Sequence, residues 1–307
     1  MPFLENVLRG RRVPPSRLLD VAEHYAIFNG MSPITECTRQ QAQGLQDRLR
    51  HDSLDLPVYV GMRNWHPFLA DTLSQMTRDG VRRAVGFIAA PHRSYSSCAQ
   101  YRENVRDAQA HLRRAGLTDV DVVYVNNWHA HPEYIAACAD RALAAIRAQP
   151  PLLAAEATLV FTAHSIPESQ AVRYPYRAQF EETARLVSEA VAGESGVRHP
   201  YACVYQSRSG RPEDPWLGPD VSEYLIDTTK DGLRAAVLCP IGFVCDHIEV
   251  LYDLDVEAAA TCRDIGLSMT RAGAVNDHPR FLGMMADTIA EVSCRYAGGR
   301  PVQLLHS

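Results

Sequence analysis

No CxxC pair occurs in this chain, although it carries eight cysteines, at positions 37, 98, 138, 203, 239, 245, 262 and 294. Without that spacing, a zinc ribbon or a redox dithiol is not indicated. In a reducing compartment the cysteines read as free thiols, with Cys203 and Cys239 serving as small core hydrophobes. Long apolar runs are missing too: nothing approaches the ~20 residues a membrane span needs. Residues 1–12 lack the apolar core of a secretion signal. An excess of positive charge is absent, since the net charge is −5, so neither nucleic acid nor an anionic membrane is an expected partner. Low-complexity tracts and short-period repeats are also lacking. What these absences leave is a cytoplasmic globular protein, and 307 residues suffice for one large α/β unit or two similar halves.

Short apolar runs alternate with amphipathic stretches. Strands are expected at 56–61, 84–89, 121–125, 157–162, 201–205 and 235–239, with a weaker one at 266–271. Helices are expected at 36–50, 66–79, 97–115, 132–148, 169–193, 219–231, 246–263 and 279–297. This alternation predicts parallel sheets covered on both faces. The architecture expected is therefore α/β, with two doubly wound, Rossmann-like lobes, 1–150 and 151–307. A seam falls at Gln149-Pro150-Pro151, and a ligand cleft is expected between the lobes. The chain opens on a helical stretch where such a lobe normally opens on a strand.

The residues best suited to chemistry gather at strand ends. The run 157–162 leads into His164, and Ser165 with Glu168 fits a capping box around Pro167. His164 reads either as a turn histidine bonded to backbone or as a base or metal ligand. After the 235–239 strand, His247 opens a helix on which Glu249, Asp253 and Glu257 fall at i, i+4 and i+8. Asp246 can cap that helix, and the three carboxylates are either a solvated face or a wall that attracts a hard divalent cation. Arg63, Asn64, Trp65 and His66 follow one strand, and Gln206, Ser207, Arg208 and Trp216 follow another. Aromatic rings beside Arg and amide groups suit a flat, partly anionic ligand, or packing between the lobes.

Taken together, these segments resemble ferrochelatases. The similarity rests on Phe161-Thr-Ala-His-Ser-Ile-Pro167, Val204-Tyr-Gln-Ser-Arg208, Pro215-Trp-Leu-Gly-Pro219 and the whole run from Pro240 to Glu257. Gly61 to Pro67 and Met31-Ser-Pro-Ile-Thr-Glu36 add to it. Phe3 to Gly10 and Ser94 to Arg102 look most like the actinobacterial members, which act on coproporphyrin III. The resemblance implies the chelatase fold and insertion of Fe2+ into coproporphyrin III. It implies that His164 and Glu249 are the catalytic pair and that Asp253 and Glu257 line a metal or proton path. Together these four are the metal-contacting set. Arg39, Arg63, Asn64, Trp65, Ser94, Gln206, Ser207 and Trp216 are the implied substrate contacts. Some members bind a [2Fe–2S] cluster; Cys98 stands where its internal ligand would be, and no complete cluster is expected here. Members begin with a strand and a Gly-Pro loop, so an upstream element is expected to be missing. A monomer is expected. The alternatives to iron insertion are a cobalt or nickel chelatase for another tetrapyrrole and a non-catalytic porphyrin carrier.

Overall fold

The computed structural model describes residues 24–28, 30–209 and 213–297. The opening helical stretch, the similarity at 3–10, Asn29 and Gly210 lie outside the described residues. Two compact units are present. One comprises residues 1–88, 96–126 and 282–307, and the other 89–95 and 127–281. A single cut at 150 does not describe them. The helix Pro132–Arg147, expected in the front lobe, packs in the second unit against the helix Tyr176–Ser195 and against strand Ala235–Cys239. Nine residues buried along Pro132–Arg147 explain this, because a helix apolar over most of its surface has to be covered on several sides.

In the first unit, strands β1 (Arg83–Gly86) and β2 (Asp121–Tyr124) pair in parallel. Helices Leu69–Arg78 and Gln100–Arg114 pack together through Leu73, Val105, Ala108 and Leu112. The strand expected at 56–61 is not formed. Side chains satisfy its backbone instead: Gln46 bonds both the Leu56 carbonyl and the Val58 N–H, and the Thr72 hydroxyl donates to the Val60 carbonyl. A segment whose polar groups are already taken gains little from a neighbouring strand.

The second unit holds a four-stranded parallel sheet in the order β4 (Tyr201–Gln206), β3 (Thr158–His164), β5 (Ala235–Cys239), β6 (Ser268–Arg271). Alternate residues of a strand face opposite sides, and both sides here are buried. Val160, Val204, Ala236 and Leu238 join Val221, Leu225, Val250, Leu254 and Ala258 in one core. On the other side, Tyr205 meets Phe180 of Tyr176–Ser195 with ring centroids 5.5 Å apart. Helices therefore cover both faces, as a doubly wound sheet requires.

The strand order matters for function. The chain moves from β3 to β4 on one side and then crosses to β5 on the other, so the loops after β3 and β5 diverge at the carboxyl edge. That is the switch point at which open α/β sheets bind ligands. The loop after β5 is seated on β3 by the Gly242 N–H, which donates to the Thr162 carbonyl at 3.0 Å. A Cβ on Gly242 would stand 2.5 Å from Ala163 Cβ and 2.6 Å from its Cα. We therefore expect Gly242→Ala to cost about 1–3 kcal/mol through overpacking. Urea unfolding checks this: the midpoint falls at unchanged slope, and an unaltered midpoint refutes the close contact.

Candidate functional site

β3 is buried from Thr158 to Ala163 and reaches the surface only at its last residue, His164. Its Nδ1 bonds the Ser165 carbonyl. Since a carbonyl only accepts, Nδ1 carries the proton and Nε2 keeps a lone pair in the neutral ring. Nε2 lies 3.9 Å from Oε2 of Glu249, and the two side chains are 34% and 52% exposed. The His164 carbonyl accepts from the buried Tyr176 hydroxyl at 2.8 Å. No motif in the sequence marks Tyr176, which lies twelve residues downstream of His164.

The capping expected around both loops is different in the structure. Ser165 does not cap a helix; its hydroxyl donates to the Leu217 carbonyl at 2.7 Å, and the short helix Glu168–Ala171 starts after Pro167. Backbone bonds from Leu217 N to Ile166 O and from Glu168 N to Pro215 O, each 3.0 Å, draw the Trp216 loop onto the His164 loop. Among the described residues the buried Trp216 Nε1 has no hydrogen-bond partner, a rare state for a buried donor. Asp246 is not the cap of the acidic segment either. His247 takes that place, its Nδ1 accepting from the Glu249 N–H at 3.2 Å. Asp246 instead holds the loop after β6, accepting from Arg271 (2.7 Å), the Ala274 N–H (3.1 Å) and Asn276 (2.7 Å). Burial holds His247 below the usual imidazole range.

The acidic segment is a single α-turn, Ile248–Val250, followed by a π-helical stretch, Leu251–Ala258, and an α-helix, Ala259–Ile265. Wider i→i+5 turns of this kind often occur at functional sites. Leu254 and Ala258 are buried beneath it, while Glu249 and Glu257 are exposed. Asp253 points inward: Ser207 Oγ donates to its Oδ2, as does Gln206 Nε2 at 3.2 Å. Gln206 and Ser207, expected among the substrate contacts, are thus turned to the acidic segment. Gln206 is only 1% exposed, and Ser207 adopts a left-handed φ of 60° to end β4. Burial pushes Asp253 up to about 7, Glu249 and Glu257 adding to the rise while the Ser207 and Gln206 bonds oppose it.

Among the described residues no group of three or more His, Cys, Asp or Glu is gathered to hold a metal ion. His164, Glu249, Asp253 and Glu257 therefore do not form one coordination sphere; they form a close pair followed by separate carboxylates. Ser94 is buried in the second unit. Arg39, Arg63, Asn64 and Trp65 belong to the first unit. There Arg39 sits 4.0 Å from Glu36 and lines a shallow hollow with Thr35, His66 and Asp71. Arg63 bonds Asn104 (3.0 Å) and the Ser96 carbonyl (2.9 Å), and stacks over Tyr101.

A doubly wound sheet with a histidine facing a carboxylate at its switch point defines a site suited to moving protons and cations. Solved structures share the fold. SirB from Bacillus subtilis with Fe3+ matches with a TM-score of 0.58 at 11% identity, over 85% of this chain and 91% of that chain. Sirohydrochlorin chelatase SirB from Bacillus subtilis subspecies spizizenii, in complex with cobalt, matches with a TM-score of 0.55 at 11% identity, over 86% and 92%. The fold is that of the chelatases. A ferrochelatase family model matches residues 1–293, and the chain belongs to the ferrochelatase family of metal chelatases. Coproporphyrin III ferrochelatase of Streptomyces griseus is 43% identical over 95% of this chain and 80% of its own length. Ferrochelatase of Rhodopirellula baltica is 45% identical over 95% and 81%. No described helix is long and apolar enough to cross a membrane.

The raised Asp253 has a consequence for stability. In the unfolded chain an aspartate titrates near pH 4, and in the folded protein near 7. The folded state binds that proton more tightly, so its contribution is full below the unfolded value and is lost as pH rises towards 7. Relative to Asp253→Asn, we expect wild-type stability to fall by roughly 2–4 kcal/mol across that window. Urea melts at several pH values measure it, and parallel profiles for the two proteins contradict the assignment.

Proposed function

We propose that this chain inserts Fe2+ into coproporphyrin III, with His164 taking up pyrrole protons and Glu249 balancing the charge that results. One observation supports this most: the lone-pair nitrogen of His164 and the Glu249 carboxylate face each other at 3.9 Å on the carboxyl edge of the sheet. Insertion of a divalent ion into a free-base porphyrin displaces two pyrrole protons, so a base must stand beside the macrocycle. With Nδ1 held by the Ser165 carbonyl, Nε2 is the atom free to accept. An imidazolium so formed has a carboxylate beside it, and the proton can pass outward.

Asp253 and Glu257 lie further along the same segment and carry protons out or iron in. A carboxyl poised near 7 exchanges protons readily at neutral pH, which suits the first role. Iron here is substrate and passes through, so a dispersed set of carboxylates serves better than a closed cage, which would retain it. The choice of coproporphyrin III follows the relatives, several of which carry that name. Its four propionates need cationic, amide or hydroxyl donors; Arg39, Asn64 and Ser94 are the candidates, with Trp65 and Trp216 as ring contacts and Arg63 a weaker one given its local bonds. The setting in this reading is the cytoplasm, with one chain as the acting unit and no [2Fe–2S] cluster.

Anaerobic steady-state assays with Fe2+ and each porphyrin test the reading. We expect turnover with coproporphyrin III in preference to protoporphyrin IX. His164→Ala is expected to lower insertion by about 100-fold or more, the usual worth of a general base, while porphyrin still binds. A wild-type chain that binds porphyrin stoichiometrically and never turns over is a carrier, and a His164→Ala variant with the full rate removes the histidine from the mechanism.

A further inference from the structure

Thr162 takes no part in the chemistry proposed for His164 and Glu249, yet it lies at the base of the polar network beneath the acidic segment. On the sheet face covered by Val250 and Leu254, β3 and β4 present Val160 and Val204 and, one step nearer the edge, Thr162 and Gln206. Thr162 is fully buried, and its hydroxyl donates to Gln206 Oε1 at 2.8 Å. The amide nitrogen of Gln206 has two hydrogens and two acceptors: the Glu249 carbonyl at 3.3 Å and Asp253 Oδ2 at 3.2 Å. Every hydrogen-bonding group of this amide except one carbonyl lone pair is therefore engaged.

We propose that Thr162 is a positioning residue for metal handling: by holding Gln206 Oε1 it fixes which way the amide points, and so pins the acidic segment at Glu249 and Asp253 together. The physical reason is the sign of the two ends of the amide. Both groups on the segment side are acceptors, so only the NH2 end suits them. A half-turn about the last side-chain torsion would set Oε1 against a carboxylate and a carbonyl. Thr162 supplies the donor that makes the correct orientation preferred, since an amide oxygen buried without a donor is strongly disfavoured. Gln206 reaches the backbone of one carboxylate-bearing residue and the side chain of another. Its orientation therefore sets their spacing, while His164, at the end of β3, is held separately through Ser165 and Tyr176.

This inference rests on the iron-insertion reading for its functional consequence, and a second readout keeps the two separable. In Thr162→Val the donor is lost and the shape is nearly kept. We expect the KM for Fe2+ to rise about tenfold, porphyrin affinity to stay within about twofold, and Thr162→Ser to restore the metal KM, in line with the loss of one buried hydrogen bond. A purely structural role would instead lower kcat with the folded fraction and leave both constants unchanged, which overturns the proposal. Independently of turnover, the Gln206 side-chain NH2 signals, assigned by their absence in Gln206→Met, should exchange slowly with solvent in wild type and Thr162→Ser and quickly in Thr162→Val. A wild type without turnover sinks the iron reading alone. Unchanged Gln206 protection in Thr162→Val sinks this one.

Discussion

Everything about the site depends on β3 lying in the interior of a parallel sheet, with β4 on one side and β5 on the other. Parallel strands end on a common edge, and the change of direction between β4 and β5 leaves room above that edge. Six buried residues anchor β3, so His164 is carried to the surface on a rigid element and not on a loop. The loop after β5 can approach β3 only because position 242 lacks a side chain, and that approach brings the acidic segment over the strand end. One topological fact and one glycine therefore set the distance between an imidazole and a carboxylate.

Electrostatics then divides the segment into parts with different tasks. Glu249 and Glu257 are exposed, and Glu249 faces His164 at 3.9 Å. Asp253 is drawn inward among Ser207 and Gln206, and burial raises it to about 7. Asp255, two residues on, turns elsewhere and pairs with Arg271 at 2.6 Å, which also bonds Asp246. Carboxylates close in sequence thus serve two structures: one wall of the site, and a clamp that ties β6 and its loop to the start of the segment. The π-helical turns make this division possible, since they alter which side chains point outward.

Much of this was legible in the residues. Five of the expected strands appear with their ends shifted by three residues or fewer, and the weaker run at 266–271 forms β6 as Ser268–Arg271. Burial on both faces leaves an apolar signature that needs no partner to be read. The convergence of His164 with the carboxylates also follows from strand ends sharing an edge. What spacing alone could not reveal were the details decided by tertiary partners. Residues 56–61 have strand-like composition, yet Gln46 and Thr72 take their backbone groups. Ser165 and Asp246 have good capping chemistry, but Leu217 and the loop at 271–276 offered better bonds. Gln206 stands among the contacts that the resemblance implies, but spacing does not show its burial under the acidic segment, which is set by residues over forty positions distant.

The central claim is that the His164 and Glu249 pair faces the bound macrocycle. A crystal structure of the chain with coproporphyrin III bound measures this most directly. The account predicts that Nε2 of His164 lies within hydrogen-bond reach of a pyrrole nitrogen, directly or through one water, with the Glu249 carboxylate beside it. A macrocycle bound away from the carboxyl edge of β3, with Nε2 out of reach of all four nitrogens, would contradict it.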